Sequence, residues 1–152
     1  MTLRAGDITI VGTKDNVVRV TCQLDHAEDG PKIQIRFAAS RLTVSGGPNK
    51  GIHYRIEVPQ NSGLQIKASA GNMDIKGITG DKDVELNAGN LTMEVGDPAS
   101  YKVAEGKVMA GDLNARPFGA QTGGLGRSFR KESSTGRYRL RAELMAGDLT
   151  LK

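Results

Sequence analysis

The sequence predicts an all-β protein: a parallel β-helix or solenoid-like stack of short strands, with rungs of about 18 residues and a less regular N-terminal part. Three observations carry that expectation. The tetrapeptide Ala-Gly-Asp/Asn-aliphatic occurs five times, at 5–8, 70–73, 88–91, 110–113 and 146–149, with corner glycines Gly6, Gly71, Gly89, Gly111 and Gly147. From Gly71 these glycines step by 18, 22 and 36 residues, the last being two steps of 18. Apolar and polar residues alternate with period two from end to end, and 20 glycines stand among the 152 residues, which suits many tight turns.

The segments follow in order. Alternation runs over 18–24, 32–37, 41–45, 52–58, 64–69, 83–87, 91–95, 101–104 and 137–144, each short and bounded by Gly, Asn, Asp or Pro. No amphipathic helix period is present; even 98–109 fits period two better than 3.6. One face is apolar: Ile8, Ile10, Ile33, Ile35, Leu42, Val44, Ile56, Val58, Leu64, Ile66, Met73, Ile75, Val84, Leu86, Leu91, Met93, Tyr138, Leu140, Leu144, Leu149 and Leu151 are expected inside. The alternate residues, such as Arg55, Lys67, Glu85, Glu94, Arg139 and Arg141, are expected outside, and a one-residue slip would exchange the two sets.

A step near 18 residues holds about three strands of four to five residues. Such a unit buries its apolar side only against a neighbour about 4.8 Å away. Stacking then places Met73, Leu91 and Leu113 in one column, with Ile75, Met93 and Ala115 beside it. The Gly of each repeat supplies a positive-φ corner, and the following Asp or Asn tolerates the bend and hydrogen-bonds its own backbone. The N-terminal third has no repeat between Gly6 and Gly71; it reads as a cap over one end of the stack, with hairpin-like turns at 25–32 and 45–51. Residues 116–135 read as a long, basic, Gly-rich loop within a single domain, 1–152.

Composition excludes several functions. Aromatics are 4% with no Trp, so stacking platforms for bases or sugars are missing and nucleic acid is not an expected partner. The net charge of +4 permits an anionic partner without demanding one. Cys22 is alone and reads as a small hydrophobe on a strand with Val18, Val20 and Leu24. His26 and His53 share no ligand spacing with it, and both read as surface or turn residues; no metal and no cofactor are expected. Asp7, Asp112 and Asp148 recur at corners, but Asn72 and Asn90 interrupt a carboxylate ladder. Gly123-Gly124-Leu125-Gly126 lacks the setting of a phosphate loop. Ser133, Ser134 and Thr135 have no neighbouring histidine. Asp81 with Asp83, and Glu85 with Glu94, are the nearest carboxylate pairs, without the aromatic groove of a glycosidase. No run of 18 apolar residues spans a membrane and no export signal is read, so the chain is cytoplasmic or a mature exported form.

The repeated corners resemble a known group. The Ile56-Glu57-Val58-Pro59 strand before Leu64-Gln65-Ile66, and the closing stretch from Gly136-Arg137-Tyr138 to Ala146-Gly147-Asp148-Leu149, share that likeness. It is to bacterial adhesin-like β-solenoid domains of unknown function, related to the auto-transporter adhesin head GIN group. The resemblance implies a β-helix-like stack in an exported or envelope-anchored protein, with no catalytic residues to transfer. The resulting expectation is a non-catalytic adhesin-like structural or binding module of the bacterial cell envelope. A self-associating scaffold joined through end strands such as 149–151 is the alternative, and a polysaccharide-active enzyme is a third reading. The expected contact is an anionic glycan or envelope surface at Arg116, Arg127, Arg130, Lys131, Arg139 and Arg141, where Arg36, Arg55 and Lys67 would extend a positive stripe.

Overall fold

The structure, a computed structural model, describes residues 2–25, 33–38, 41–46 and 51–152. His26, and residues 26–32 and 47–50 of the turns read over 25–32 and 45–51, lie outside the described residues, as do the side chains of Ile33, Ile35, Leu42 and Val44. Among the described residues, fourteen strands form one curled, mixed sheet, half a barrel in outline. In chain order they are β1 (Thr2–Ala5), β2 (Asp7–Thr13), β3 (Arg19–Leu24), β4 (Ile33–Ala38), β5 (Arg41–Gly46), β6 (Ile52–Pro59) and β7 (Leu64–Ala70). There follow β8 (Met73–Lys76), β9 (Lys82–Ala88), β10 (Leu91–Met93), β11 (Tyr101–Ala115), β12 (Ala120–Glu132), β13 (Tyr138–Ala146) and β14 (Leu149–Leu151). Two short 3-10 turns, Pro98–Ser100 and Arg116–Phe118, flank β11.

The Ala-Gly-Asx repeat is the bend in this sheet. It joins β1 to β2, β7 to β8, β9 to β10 and β13 to β14, and it bends β11 in its middle. All five corner glycines hold positive φ, between 122° and 134°. Space restricts the corner as much as dihedral angle does: a Cβ on Gly89 would lie 1.9 Å from the Gly71 carbonyl oxygen. Backbone bonds run through the bends without a break, as in Met73 N–H to Asn90 O at 2.8 Å and Leu91 N–H to Asp148 O at 2.9 Å. The Asx side chains serve the adjacent strand rather than their own backbone. Asp7 Oδ1 accepts from the Asn72 amide nitrogens, Asn90 Oδ1 from Asp148 N–H at 3.2 Å, and Asp148 Oδ1 from Asp112 N–H at 3.1 Å.

The bent units stack in parallel, but not in chain order. On one side of the bend the order is β5, β1, β7, β9, β13, β11; on the other it is β6, β2, β8, β10, β14, β11. The expected column of Met73, Leu91 and Leu113 is therefore corrected: Leu149 lies between Leu91 and Leu113, and Ile8 precedes Met73. The 36-residue step arises because the chain runs out along β11 and back along β12 before β13–β14 slots in beneath. Likewise β1–β2 lies inside the stack, between β5–β6 and β7–β8, so of the N-terminal third read as a cap only β3–β6 lie at its end. The 82–93 unit holds two strands and a turn, not three strands. Strand 149–151 is interior, paired on both edges, and so is not an end strand. Among the described residues, the terminal strands are β3, β4 and β12, all antiparallel to their neighbours.

Register fixes the core. Ile8, Met73, Leu91, Leu149 and Leu113 form one buried row, with Ile10, Ile75, Met93, Leu151 and Ala115 beside it, each at most 2% exposed. Each buried aliphatic side chain contributes roughly 1.5–3 kcal/mol. Across the bend, Ile66, Val84, Ala142 and Gly106 align, and Phe129 of β12 occupies the space a Cβ on Gly106 would need. Phe129 stacks on Phe118 at 5.5 Å, which closes that end of the core. Cys22 is half-buried on β3, opposite Tyr54, and burial raises its thiol pKa.

Candidate binding surfaces

Residues 116–135, expected as a loop, are mostly strand: β12 spans Ala120–Glu132 and pairs with β11 along its whole length. Gly123 and Gly124 follow the β11 corner at Asp112 and Gly111, so the Gly-rich sequence is what lets β12 turn with its partner. The sequence carried little signal for it, since the apolar residues Leu125 and Phe129 stand four apart among glycine and polar residues.

Alternate residues of β7, β9, β13, β11 and β12 face outward in two rows. Register aligns Gln65, Asp83, Arg141, Glu105 and Arg130 in one, and Lys67, Glu85, Glu143, Lys107 and Ser128 in the other. Charges of opposite sign interleave. Lys67 Nζ meets Glu85 at 2.6 Å; Arg141 reaches Asp83 and Glu85 at 3.4 Å and Glu143 at 2.8 Å. Arg130 pairs with Glu105 and, at 2.7 Å, with Glu132. The hydrogen bond from Lys67 holds the Glu85 carboxyl below the usual carboxylate range. Arg55 is likewise paired with Glu57 at 3.1 Å.

The six basic residues expected to form one positive site are thus divided. Arg130 and Arg141 are neutralised by neighbours and line a groove of about 260 Å³ with Glu105 and Glu143. Among the described residues, Arg116, Arg127, Lys131 and Arg139 have no ion pair. Arg116 lies on the 3-10 turn after β11, Arg127 and Lys131 on β12, and Arg139 on β13, where its backbone N–H donates to Asp81 Oδ1 at 2.8 Å. A continuous positive stripe does not form, because outward positions on facing strands carry acids.

The other side of the bend presents a different surface. Thr9, Asp74, Thr92, Thr150, Asn114 and Gln121 align across six strands, next to the Asx corner row. Two grooves run along it, of about 370 Å³ at Asp7, Asn72, Asp74 and Thr92, and about 560 Å³ at Asp112, Asn114, Gln121 and Thr150. Asp74 Oδ1 and Asn114 Oδ1 are shut off from solvent and have no hydrogen-bond partner. Neither residue stood out in the sequence, since single Asp, Asn and Thr residues on short strands look like ordinary exposed positions.

Other candidates stay apart. Glu85 and Glu94 lie on opposite sides of the bend, Glu85 bound to Lys67 and Glu94 accepting from Gly77 N–H at 3.1 Å. His53 is exposed on β6, its Nδ1 3.5 Å from Asp7. Among the described residues no three His, Cys, Asp or Glu side chains converge to hold a metal ion. Sequence reading missed one buried group, Lys82. It is 1% exposed, in line with Leu64, Leu140 and Ala104, and donates to the Tyr101 hydroxyl, which donates to Val95 O at 3.0 Å. Its Nζ also sits 4.9 Å from the Tyr101 ring centroid. Burial pushes Lys82 down to about 8, against the opposing pull of Asp81, and pushes Tyr101 up to about 12, with a smaller contribution from Tyr138. Alternation with Val84 and Leu86 was the signal that would have placed Lys82 inside.

No protein-family model matches the chain, and no curated protein matches it. Among solved structures, the fold is similar to one described as a "putative cell adhesion protein" from Clostridium sporogenes, with a TM-score of 0.58 and 17% identity. The match covers 99% of this chain and 90% of that one. At that identity the likeness shows a shared fold.

Proposed function

We propose that this chain is a non-catalytic, adhesin-like binding module of the bacterial cell envelope. Its scaffold is a solenoid-like stack whose chain order is permuted, and its contact surface is the strip from Thr9 to Gln121. The observation that carries the reading is that strip's geometry. Hydroxyl, carboxylate and amide groups stand in a straight, register-locked row, flanked by the Asx corners and lined by two grooves. A row of hydroxyl and amide groups that both donate and accept, at strand spacing, suits the hydroxyls of an extended glycan lying across the strands. The carboxylates of Asp112 and Asp148 near this row argue for a neutral glycan here, not the anionic one expected from the arginines; Asp74 is paired with Lys76 at 2.5 Å. The likeness to a structure described as a "putative cell adhesion protein" points the same way.

The test is a binding screen of the purified chain against envelope and host-surface polysaccharides, followed by calorimetry on those retained. Saturable binding is expected, weakened at least 10-fold by Thr92→Val with Thr150→Val, which keep the side-chain shape and remove two hydroxyls. Full affinity in that variant, or retention of no polysaccharide, overturns the reading. Release of new reducing ends would replace it with an enzyme.

A further inference from the structure

We propose that β12 is an acceptor strand for an extended acidic segment of a partner protein. Among the described residues β12 pairs only with β11, so its other edge offers a row of unpaired backbone groups. Proteins usually blunt such an edge with a bulge, a proline, a short strand or charged side chains, and the charges of β12 would repel a like-charged edge while admitting an acidic one. This one runs 13 residues, Ala120–Glu132, without proline.

The side chains say what would fit. Register against β11 puts Leu125, Arg127, Phe129 and Lys131 on the face continuous with the core, opposite Ala110, Val108, Gly106 and Ala104. Phe129 reaches the core and stacks on Phe118, whereas Leu125 is 80% exposed, the most open large apolar side chain among the described residues. Arg127 donates its Nε to the Gly123 carbonyl at 2.8 Å, which lays the guanidinium along the strand and leaves its terminal nitrogens free. Lys131 has no ion pair either, while every outward acid beside it is engaged: Glu105 and Glu132 by Arg130, Glu143 by Arg141. The face therefore reads apolar, cation, apolar, cation at alternate positions. A strand added at this edge continues the sheet with its own main chain and sets alternate side chains beside these four. Charge complementarity then requires carboxylates beside Arg127 and Lys131 and aliphatic side chains beside Leu125 and Phe129. A second copy of this chain is disfavoured, because two β12 edges would bring like charges together.

This site is separate from the Thr9–Gln121 strip, so the two readings stand or fall independently. The probe is a labelled nonapeptide, Thr-Val-Thr-Asp-Thr-Val-Thr-Asp-Thr, followed by fluorescence anisotropy. Its repeat presents the same face in either strand direction. Saturable binding is expected, lost with alternate backbone N-methylation, and at least 10-fold weaker when Lys replaces Asp. In Arg127→Glu with Lys131→Glu the preference should invert toward the Lys peptide while the melting temperature stays unchanged. Equal binding of the Asp and Lys peptides, undiminished binding after N-methylation, or no binding at millimolar peptide overturns the proposal. So does doubling of the mass without peptide that the same variant abolishes, which would make the occupant a second copy. Failure of the peptide with glycan binding intact removes only the β12 assignment.

Discussion

Gly89, at a corner of the parallel stack, and Gly126, in the outlying strand β12, both hold positive φ, 123° and 64°. Around Gly89 there is no room: a Cβ would lie 1.9 Å from the Gly71 oxygen and 2.7 Å from its carbonyl carbon. Around Gly126 a Cβ would meet nothing within 4 Å. The same residue type thus has two physical causes. In the stack, glycine is required because backbones approach at strand spacing through a bend, and each unit restrains the next. In β12, only the strand's own dihedral angle asks for it, and the strand is held on one edge alone, by its ladder with β11 and by side chains such as Phe129 and Arg130. The stack is set by its main chain, and the β12 end is open to substitution and to partners.

The largest expected effect breaks the stack. Gly89→Val adds a β-branched side chain at positive φ and forces it against a neighbouring backbone. Strain and displacement together should cost about 4 kcal/mol. Urea unfolding should show the lowered midpoint; a shift equivalent to less than 1 kcal/mol would mean that the corner relaxes freely and that the contrast with β12 is wrong.

This contrast also explains what was legible in the sequence. The corner glycines and the inward rows are local patterns, so Ile8, Met73, Leu91 and Leu149 could be placed inside by alternation alone. Order within the stack is not local. Nothing near Leu149 says that it packs between Leu91 and Leu113, because any apolar row fits any other at this spacing. The β12 strand was hidden by its glycines, which look like loop residues unless the β11 corner opposite is known. Pairing across strands was hidden too: Arg130 and Arg141 look like free cations until Glu105 and Glu143 arrive beside them.

Next in size is the link between the two regions. Lys82 of β9 binds Tyr101 at the start of β11, so the stack holds the outer hairpin through a buried amine. The Lys82 pKa is depressed in the fold, so between pH 8 and about 10.5 the unfolded chain holds a proton that the folded chain has lost. Stability therefore rises with pH across that window, by up to about 3 kcal/mol. Tyr101 is raised instead, so its contribution is lost as pH climbs from about 10 toward 12. Stability should peak near pH 10. Lys82→Met should abolish the rise and stabilise the protein at pH 7 by about 1–2 kcal/mol, as when a buried charge yields to an apolar side chain. A flat profile for the parent chain between pH 8 and 10 would mean that the amine is hydrated.

Gly126→Ala sharpens the comparison from the β12 side. With open space around it, the substitution should cost about 1 kcal/mol, the left-handed penalty alone, and Gly126→Asn less. A loss as large as that of Gly89→Val would show β12 to be as constrained as the stack.

The smallest effect belongs to the charged rows. Lys67 and Glu85 are both part-exposed, and exposed pairs contribute between 0 and about 1 kcal/mol. Glu85→Gln should therefore lower stability by about 0.5 kcal/mol in dilute buffer and by almost nothing at 1 M salt, where charges are screened within about 3 Å. The consequence at Arg141 is the more informative reading. It shares Glu85 with Lys67 but keeps Asp83 and Glu143, so Arg141→Ala in the Glu85→Gln background should cost nearly what it costs alone. A coupling above about 1 kcal/mol in that double-mutant cycle would make the face a cooperative network. The sheet exterior would then hold β13 in place beside β9 as firmly as the corners do, and the division between a main-chain stack and a side-chain periphery would have to be redrawn.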